Sequence, residues 1–194
     1  RLLGVDADMD TVEYQGRRVR PGAFPISIDA AQFASASAEA SVEEKAAAIR
    51  EQHRGCKILL GIDRLDYTKG LKRRVLAVER LLERAPELCG KVKFIQVAVP
   101  SRTKVEAYGQ LRRGLDELVG RVNGRFSTVH WSPVQYLYRQ AEDEELLALY
   151  RAADVMLVTP LRDGMNLVAK EFVACRKHED GVLVLSEIAG AAWE

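Results

Sequence analysis

Pro-Leu-Arg-Asp-Gly-Met-Asn-Leu-Val-Ala-Lys-Glu, at residues 160–171, is the stretch that decides the fold of this chain. It follows an uninterrupted apolar run, Asp-Val-Met-Leu-Val-Thr at 154–159, which is typical of a strand buried on both faces. The pair Asp163-Gly164 ends the strand, and apolar residues recur at helical spacing from Met165. A strand, a glycine-containing turn and a helix start in this order present free backbone N–H groups to an anion.

The alternation of strand and helix extends outward from this stretch. Apolar runs predict strands at 57–63, 92–99, 128–131, 154–159 and 182–185. Amphipathic patterns predict helices from 71 to just before Pro86, at 103–120, at 144–152 and from about 165. Strands that alternate with helices predict an α/β fold, in which a parallel, doubly wound sheet is joined by right-handed crossovers.

The first 40 residues show a different pattern. Residues 11–14 and 17–24 flank Gln15-Gly16 as the strands of a hairpin, and the Ala/Ser-rich residues 29–40 indicate a weak helix or a linker. Ser41-Val-Glu-Glu44 predicts a capping box at the start of a helix that ends near Gly55. Because the chain starts with Arg1 in the middle of a pattern, we expect it to be an internal fragment of a longer protein.

Composition excludes several classes of protein. The net charge of +1 leaves no electrostatic footprint for nucleic acid or for an anionic membrane. No apolar run approaches the length of about 18 residues that a membrane span needs, and no signal peptide is visible. The three cysteines are scattered and form no metal-binding pattern, so we expect reduced thiols, a cytoplasmic protein and no metal site.

The loops beyond the carboxyl ends of the strands are where a doubly wound sheet binds its ligand. Here they are residues 64–70, 100–102, 160–166 and 186–191. Arg64 and Lys69 share the first loop and together would neutralise a diphosphate, Arg through a forked contact and Lys as a point charge. Arg102 in the second loop would bind a second phosphate. The alternative is that all three cations are solvated surface charges.

Two carboxylates follow in the third loop and its helix. Asp163 would contact part of a ligand or, alternatively, only cap the helix from its Asp-Gly turn. Glu171 shares a helix face with Leu167, four residues earlier, so it points back toward the helix start, where a carboxylate suits the two vicinal hydroxyls of a ribose. The alternative for Glu171 is a solvated helix residue. Met165 and Val168, like Leu167, are more typical of a core than of a cofactor site.

Two long motifs resemble the trehalose-6-phosphate synthase family. They are Gly-Ile-Asp-Arg-Leu-Asp-Tyr-Thr-Lys-Gly at 61–70 and Leu-Val-Thr-Pro-Leu-Arg-Asp-Gly-Met-Asn-Leu-Val-Ala-Lys-Glu at 157–171. The resemblance covers nearly the whole chain, including 120–126 and 182–192. It implies a GT-B glycosyltransferase, whose two Rossmann-like domains face a cleft. Residues 1–40 would be the tail of the N-terminal domain and a linker, and residues 41–194 a truncated C-terminal UDP-sugar-binding domain.

The resemblance also implies roles for the residues of the site. The substrates would be UDP-glucose and glucose 6-phosphate, with α,α-trehalose 6-phosphate and UDP as products, and no metal or other cofactor is expected. The expected partners are these substrates and the missing N-terminal domain, but neither nucleic acid nor membrane; a homo-oligomer is left open. By the resemblance, Arg64 and Lys69 would bind the diphosphate, and Arg102 would bind the acceptor phosphate. Asp163 would contact the donor glucose, and Glu171 would bind the ribose. The helix start that meets the donor sugar and phosphates would be formed by Met165, Asn166, Leu167 and Val168.

Catalysis is assigned to Arg64, Lys69 and Asp163, and the acidic-x7-acidic spacing from Asp163 to Glu171 matches retaining GT-B enzymes. The implied reaction is a front-face displacement through an oxocarbenium-like state. One alternative is a catalytically silent regulatory relative that binds sugar phosphates, although such a protein would have lost some of the charged residues that this chain keeps. Another is a different transferase of this fold, such as a sucrose-phosphate or glycogen synthase, against which the two long motifs argue.

Overall fold

The computed structural model describes residues 6–8, 11–22, 24, 26–103, 105–176 and 180–193. The first of these residues form a small antiparallel sheet of strands β1 (Asp6–Asp8), β2 (Thr11–Tyr14) and β3 (Arg17–Val19). The predicted hairpin is confirmed, and its second strand ends at Val19. Gln15 and Gly16 both have positive φ angles, 50° and 71°, as a two-residue hairpin turn requires.

Two helices follow this sheet, α1 (Ala30–Ala36) and α2 (Ala40–Gln52). Helix α1 starts at a true cap, because the Asp29 carboxylate accepts from the Gln32 N–H at 3.0 Å. The capping box predicted at Ser41 is wrong. The Glu39 carbonyl already accepts from the Val42 and Glu43 N–H groups, so Ser41 lies inside the first turn of α2.

The main sheet is parallel and doubly wound, as predicted. Its strand order is β6-β5-β4-β7-β8, so the order reverses at β4, and crossovers connect the strands. The strands are β4 (Lys57–Arg64), β5 (Val92–Val99), β6 (Val134–Leu137), β7 (Val155–Val158) and β8 (Val182–Leu185). The crossover helices are α3 (Leu71–Arg84), α4 (Glu106–Phe126), α5 (Asp143–Ala152) and α6 (Leu167–Ala174).

The third strand of this sheet lies later in the chain than the sequence predicts. Residues 128–131 are a loop: Val129 is 95% exposed and has no core to enter, although Trp131 packs against the core from this loop. Strand β6 begins instead at Val134, which is buried beside Phe94. Helix α4 also continues beyond residue 120, because buried Val122 extends the apolar stripe of this helix.

The core lies in two layers, one on each face of the main sheet. Helices α2, α5 and α6 cover one face, where they pack on residues such as Leu60 and Val97. Helices α3 and α4 cover the other face, where Phe94 and Ala98 are buried. Successive residues of a strand point to opposite faces, and burial on both faces explains the uninterrupted apolar runs. Within the described ranges, none of the helices has both the length and the apolarity to cross a bilayer.

Candidate active site

Three of the four loops predicted to form the site are joined by backbone hydrogen bonds at the carboxyl edge of the main sheet. The Leu161 N–H donates to the Thr68 carbonyl at 2.7 Å, which ties loop 160–166 to loop 64–70. The Ala191 N–H donates to the Met165 carbonyl at 2.8 Å, which ties loop 186–191 to the same loop. The edge of the sheet is therefore a continuous surface built from segments far apart in the sequence.

Two glycines permit this close approach. A Cβ atom on Gly70, whose φ is +72°, would lie 2.6 Å from the Thr159 carbonyl oxygen. A Cβ atom on Gly190 would lie 2.0 Å from the carbonyl oxygen of Gly164. Since real Cβ contacts are longer than this, any other residue at either position would push the loops apart.

Lys69 and Asp163 form an ion pair between two of these loops. The Lys69 Nζ atom lies 2.5 Å from Asp163 Oδ2, and both side chains are mostly buried, at 15% and 13% exposed. Burial alone favours the protonated Asp163 carboxyl, but the hydrogen bonds from Lys69 and Asn166 outweigh burial and hold its pKa below the usual range. The cation and the carboxylate predicted for one site do lie together, and each is the other's partner.

Asn166 caps helix α6. Its φ of 82° is left-handed, a conformation that Asn tolerates better than most residues, and its Oδ1 accepts from the Ala169 N–H at 3.2 Å. Its Nδ2 donates to Asp163 Oδ2 at 3.0 Å. Asp163 is therefore not the cap of the helix but the group that orients the cap. Met165, Leu167 and Val168 around it are half-buried.

Arg64 and Arg102 stand at the ends of neighbouring strands. Arg64 lies not in the loop, as predicted, but at the last position of β4, because its pairing with Val99 extends the strand by one residue. Arg102 follows β5 with a φ of 47°, and both arginine side chains are exposed. The Arg102 guanidinium lies 5.7 Å from the ring centroid of Tyr108. The structure thus places two further cations along the same edge.

Glu171 is the fifth residue of α6, about one turn after the helix start, and it lies beside a cavity of about 400 Å³. Its Oε2 accepts from the Tyr150 hydroxyl at 2.8 Å, and Phe33 and Leu146 also line the cavity. Burial, and then the charge of Glu171, raises the pKa of Tyr150, so this hydroxyl stays a donor. Glu171 is half-buried and hydrogen-bonded, unlike a solvated helix residue.

A buried arginine beneath the ion pair was missed by sequence reasoning. Arg74 is 2% exposed, and its Nη2 donates to Asp63 Oδ2 at 2.7 Å and to the Lys69 carbonyl at 3.1 Å. Its remaining nitrogens donate to Gln96 Oε1 at 3.1 Å and to Thr159 Oγ1 at 3.2 Å. Arg74 therefore holds the Lys69 backbone against β4, β5 and the residue that follows β7.

The sequence does carry a signal for this network. Asp63 and Gln96 interrupt apolar strands, and Arg74 lies between Leu71 and Val75 on the apolar face of its helix. Polar residues in such positions need buried partners. Burial raises the pKa of Asp63, and the Arg74 charge offsets part of that rise.

The chemistry available at this edge is that of anion and hydroxyl binding. The cations and the α6 N-terminus would attract phosphate groups, and carboxylates such as Glu171 would accept hydrogen bonds from sugar hydroxyls. In the part of the chain that the structure describes, no three His, Cys, Asp or Glu side chains are grouped closely enough to hold a metal ion.

Comparison with known proteins places this chain in a family. A bifunctional trehalose-6-phosphate synthase/phosphatase of Thermoproteus tenax is 50% identical over 194 residues, which are all of this chain and 26% of that protein. A crystal structure of a UDP-forming α,α-trehalose-phosphate synthase from Burkholderia xenovorans in complex with glucose-6-phosphate is 41% identical with a TM-score of 0.90. It covers 98% of this chain, which spans 42% of that one.

An E. coli structure, described as trehalose-6-phosphate bound with UDP-2-fluoro glucose, is 39% identical with a TM-score of 0.90. It covers all of this chain, which spans 43% of it. The chain thus spans less than half of each of these relatives. The model of glycosyltransferase family 20 matches residues 1–194, so the chain belongs to that family.

Proposed function

We propose that this chain is the nucleotide-sugar half of a retaining glycosyltransferase. The complete enzyme would move glucose from UDP-glucose to glucose 6-phosphate, giving α,α-trehalose 6-phosphate and UDP. Residues 41–194 would bind the donor, and residues 1–40 would be the tail of the facing domain and a linker. The names of two relatives, one complexed with glucose-6-phosphate and one with UDP-2-fluoro glucose, support this choice of substrates.

The observation that carries the proposal is the Lys69–Asp163 ion pair at the carboxyl edge of the sheet. It joins a cation suited to a diphosphate to a carboxylate suited to sugar hydroxyls, with Nζ and Oδ2 2.5 Å apart. A nucleotide sugar carries these two chemical groups directly next to each other. A ligand that has only one of them would use only half of this pair.

The donor fits the remaining groups in order along the edge. We assign the diphosphate to Arg64, Lys69 and the N-terminus of α6, whose first backbone N–H groups carry a partial positive charge. The donor glucose would contact Asp163 and the backbone at 165–168. The ribose would bind Glu171, whose neighbouring cavity is lined by three helices and has room for part of the nucleoside.

The acceptor would be held by Arg102. Its exposed guanidinium stands at the end of β5, beside the strand that ends at Arg64, so the acceptor phosphate and the donor diphosphate would bind to separate cations. A phosphate matches the planar guanidinium through two parallel hydrogen bonds. The contacts to the acceptor sugar would come from the facing domain.

The reaction would proceed on one face of the donor glucose. The bond from its anomeric carbon to the diphosphate oxygen breaks, the acceptor hydroxyl oxygen bonds to the same carbon on the same face, and the hydroxyl proton passes to the leaving diphosphate. Negative charge grows on that diphosphate in the transition state. Arg64, Lys69 and the α6 N-terminus would stabilise this charge, which lowers the barrier.

Several features of the complete protein stay predictions. We expect it to act in the cytoplasm, in keeping with three cysteines that form no disulfide. We expect it to need no metal or cofactor besides the donor. Whether two copies assemble is left open.

The test is a coupled assay of UDP release by the complete two-domain protein. With UDP-glucose, release should depend on glucose 6-phosphate, and the product should be α,α-trehalose 6-phosphate. Glucose without its phosphate serves as the control acceptor and should react much more slowly. A protein that binds glucose 6-phosphate yet releases no UDP would be the regulatory relative, and the proposed activity would be wrong.

A further inference from the structure

We propose that Tyr108 is a positioning residue that fixes Arg102 relative to Lys69 and Asp163. This inference rests on the proposed function, and it concerns a residue to which sequence reasoning assigned no role. Tyr108 lies in the first turn of α4 and is 6% exposed. It contacts both the loop that carries Lys69 and the loop that carries Arg102.

The hydroxyl of Tyr108 reaches the first loop through a single carboxylate. It donates to Asp66 Oδ2 at 3.0 Å. The other oxygen of Asp66 accepts from the Thr68 N–H and from the Thr68 hydroxyl, both at 2.9 Å. Asp66 thereby caps the short 3₁₀ turn Tyr67–Lys69, which delivers Lys69 to the edge of the sheet.

The same turn also carries the connection on to Asp163. The Thr68 carbonyl accepts from the Leu161 N–H at 2.7 Å, two residues before Asp163. A displacement of Asp66 would therefore move both members of the Lys69–Asp163 pair. Because Tyr108 donates directly to Asp66, its hydroxyl is connected to Lys69 and to Asp163 through a few hydrogen bonds and short stretches of backbone.

The ring of Tyr108 holds the second loop. The Arg102 guanidinium lies 5.7 Å from the ring centroid, within the range of a cation–π contact. The Arg102 carbonyl also accepts from the Val105 N–H at 2.9 Å, so Arg102 moves with the start of α4. Tyr108 therefore meets Arg102 through its ring and the Lys69 loop through its hydroxyl.

Charge supports the same arrangement. Burial favours protonation of Asp66, but the hydrogen bonds from Thr68 and Tyr108, and then the nearby charge of Arg102, outweigh it and lower the pKa of this carboxyl. Asp66 is then ionised at neutral pH. It accepts from the Tyr108 hydroxyl, whose ring lies against the Arg102 guanidinium, so the carboxylate and the cation meet the two ends of one side chain.

Such a residue matters because the transfer needs donor and acceptor held in one geometry. Misplacement of a group by about 1 Å can cost two orders of magnitude in rate. Phe at position 108 would fill the same buried space and keep the ring beneath Arg102. It would lack only the hydroxyl, which separates the positioning role of Tyr108 from its packing.

The test compares Tyr108→Phe with the wild-type complete protein in the UDP-release assay. We expect the KM for glucose 6-phosphate to rise about tenfold, because the ring is no longer tied to Asp66 and no longer fixes Arg102. The Kd for UDP should change by less than twofold, because Thr68 still holds Asp66 and with it the turn that carries Lys69. The melting temperature should stay close to that of wild type. Tyr14→Phe, which removes an exposed hydroxyl from β2, is the control and should leave all three unchanged.

A double-mutant cycle separates positioning from general damage. Since Tyr108 would act through Arg102, adding Tyr108→Phe to Arg102→Ala should change the KM for glucose 6-phosphate by less than twofold. The same tenfold loss in both backgrounds, or no loss in either, would overturn the inference. Asp66→Asn is the second variant if Tyr108→Phe does not fold: it should raise the KM for glucose 6-phosphate and, because Asp66 caps the turn that carries Lys69, it should also weaken UDP binding. A wild-type protein without transferase activity would instead overturn the proposed function, and this inference with it.

Discussion

The Lys69 ammonium and the Asp163 carboxylate meet at 2.5 Å although 94 residues separate them in the chain. They come from the loops that follow β4 and β7, which are neighbours in the sheet. Each side chain lies within hydrogen-bonding distance of the other, so a donor bound here would contact a prepared pair rather than two mobile side chains. The consequences of this arrangement can be measured.

Replacing Lys69 with Ala should weaken UDP binding by about 1.5–3 kcal/mol, the range for a hydrogen bond to a charged group. Transfer should slow by a larger factor, because charge grows on the leaving diphosphate. Calorimetric UDP affinity and steady-state rates measure both effects. Lys57→Ala is the control, since Lys57 also pairs with an aspartate but lies at the opposite edge of the sheet. Unchanged affinity and rate in Lys69→Ala would refute the diphosphate role.

The pKa of Asp163 should depend on Lys69. In the wild type it should lie below the ordinary 3.8, so the stability contributed by this carboxylate is present above pH 3.8 and is lost as the pH falls through the folded-state pKa. In Lys69→Ala, the hydrogen bond and the charge that lower the pKa of Asp163 are lost, while burial still raises it. The pKa of Asp163 should therefore rise. Carboxyl carbon NMR titrations of both proteins test this, and an equal midpoint in the two would show that the ion pair does not form.

Replacing Arg102 with Ala should raise the KM for glucose 6-phosphate and leave UDP affinity nearly unchanged. Arg102→Lys should restore only part of the loss, because an ammonium lacks the forked geometry. Residue 102 has a left-handed φ of 47°, and both variants keep a Cβ atom there. The backbone strain at this position is therefore the same in both variants as in the wild type. Arg80→Ala, on the exposed face of α3, is the control. Equal losses of donor and acceptor binding would make the assignment wrong.

Removing the buried guanidinium of Arg74 should destabilise the fold strongly. Arg74→Met leaves the Asp63 carboxylate buried without its partner, which costs about 3–5 kcal/mol in free energy of unfolding. Urea denaturation measures this cost. The double variant Asp63→Asn with Arg74→Met should recover part of it, since no buried charge remains. If Arg74→Met alone were as stable as the wild type, the Arg74 network would contribute little to the free energy of unfolding.

Residues 1–194 alone should bind UDP with millimolar affinity and show no transferase activity. The proposed donor groups lie on this chain, but without the facing domain that we propose, donor and acceptor would not be held together, and water would weaken each charge contact. Chemical-shift changes on UDP titration should concentrate at Arg64, Lys69 and residues 163–171. Glu171→Gln should reduce the affinity for UDP but not for pyrophosphate. Trehalose 6-phosphate made by the chain alone would contradict the prediction.

The sequence by itself determined the alternation of strands and helices and the edge at which the charged residues gather. These features depend on local periodicity and on the rule that parallel strands present their carboxyl ends together. The pattern failed at residues 128–131, where Val129 has no core to enter, and at Ser41, where an earlier carbonyl starts the helix. In both places, the local structure depends on contacts with residues outside the predicted segment.

Only the tertiary structure decided which charged groups meet. The sequence assigned Lys69 and Asp163 separate parts of one ligand, and nothing in their spacing showed that they would pair. Nor did it show that Arg74 would be buried beneath them, or that the Tyr108 hydroxyl would reach the Asp66 carboxylate. Periodicity fixes the face on which a side chain lies, whereas distances of about 3 Å depend on how strands and helices pack, and packing is set by the whole chain at once.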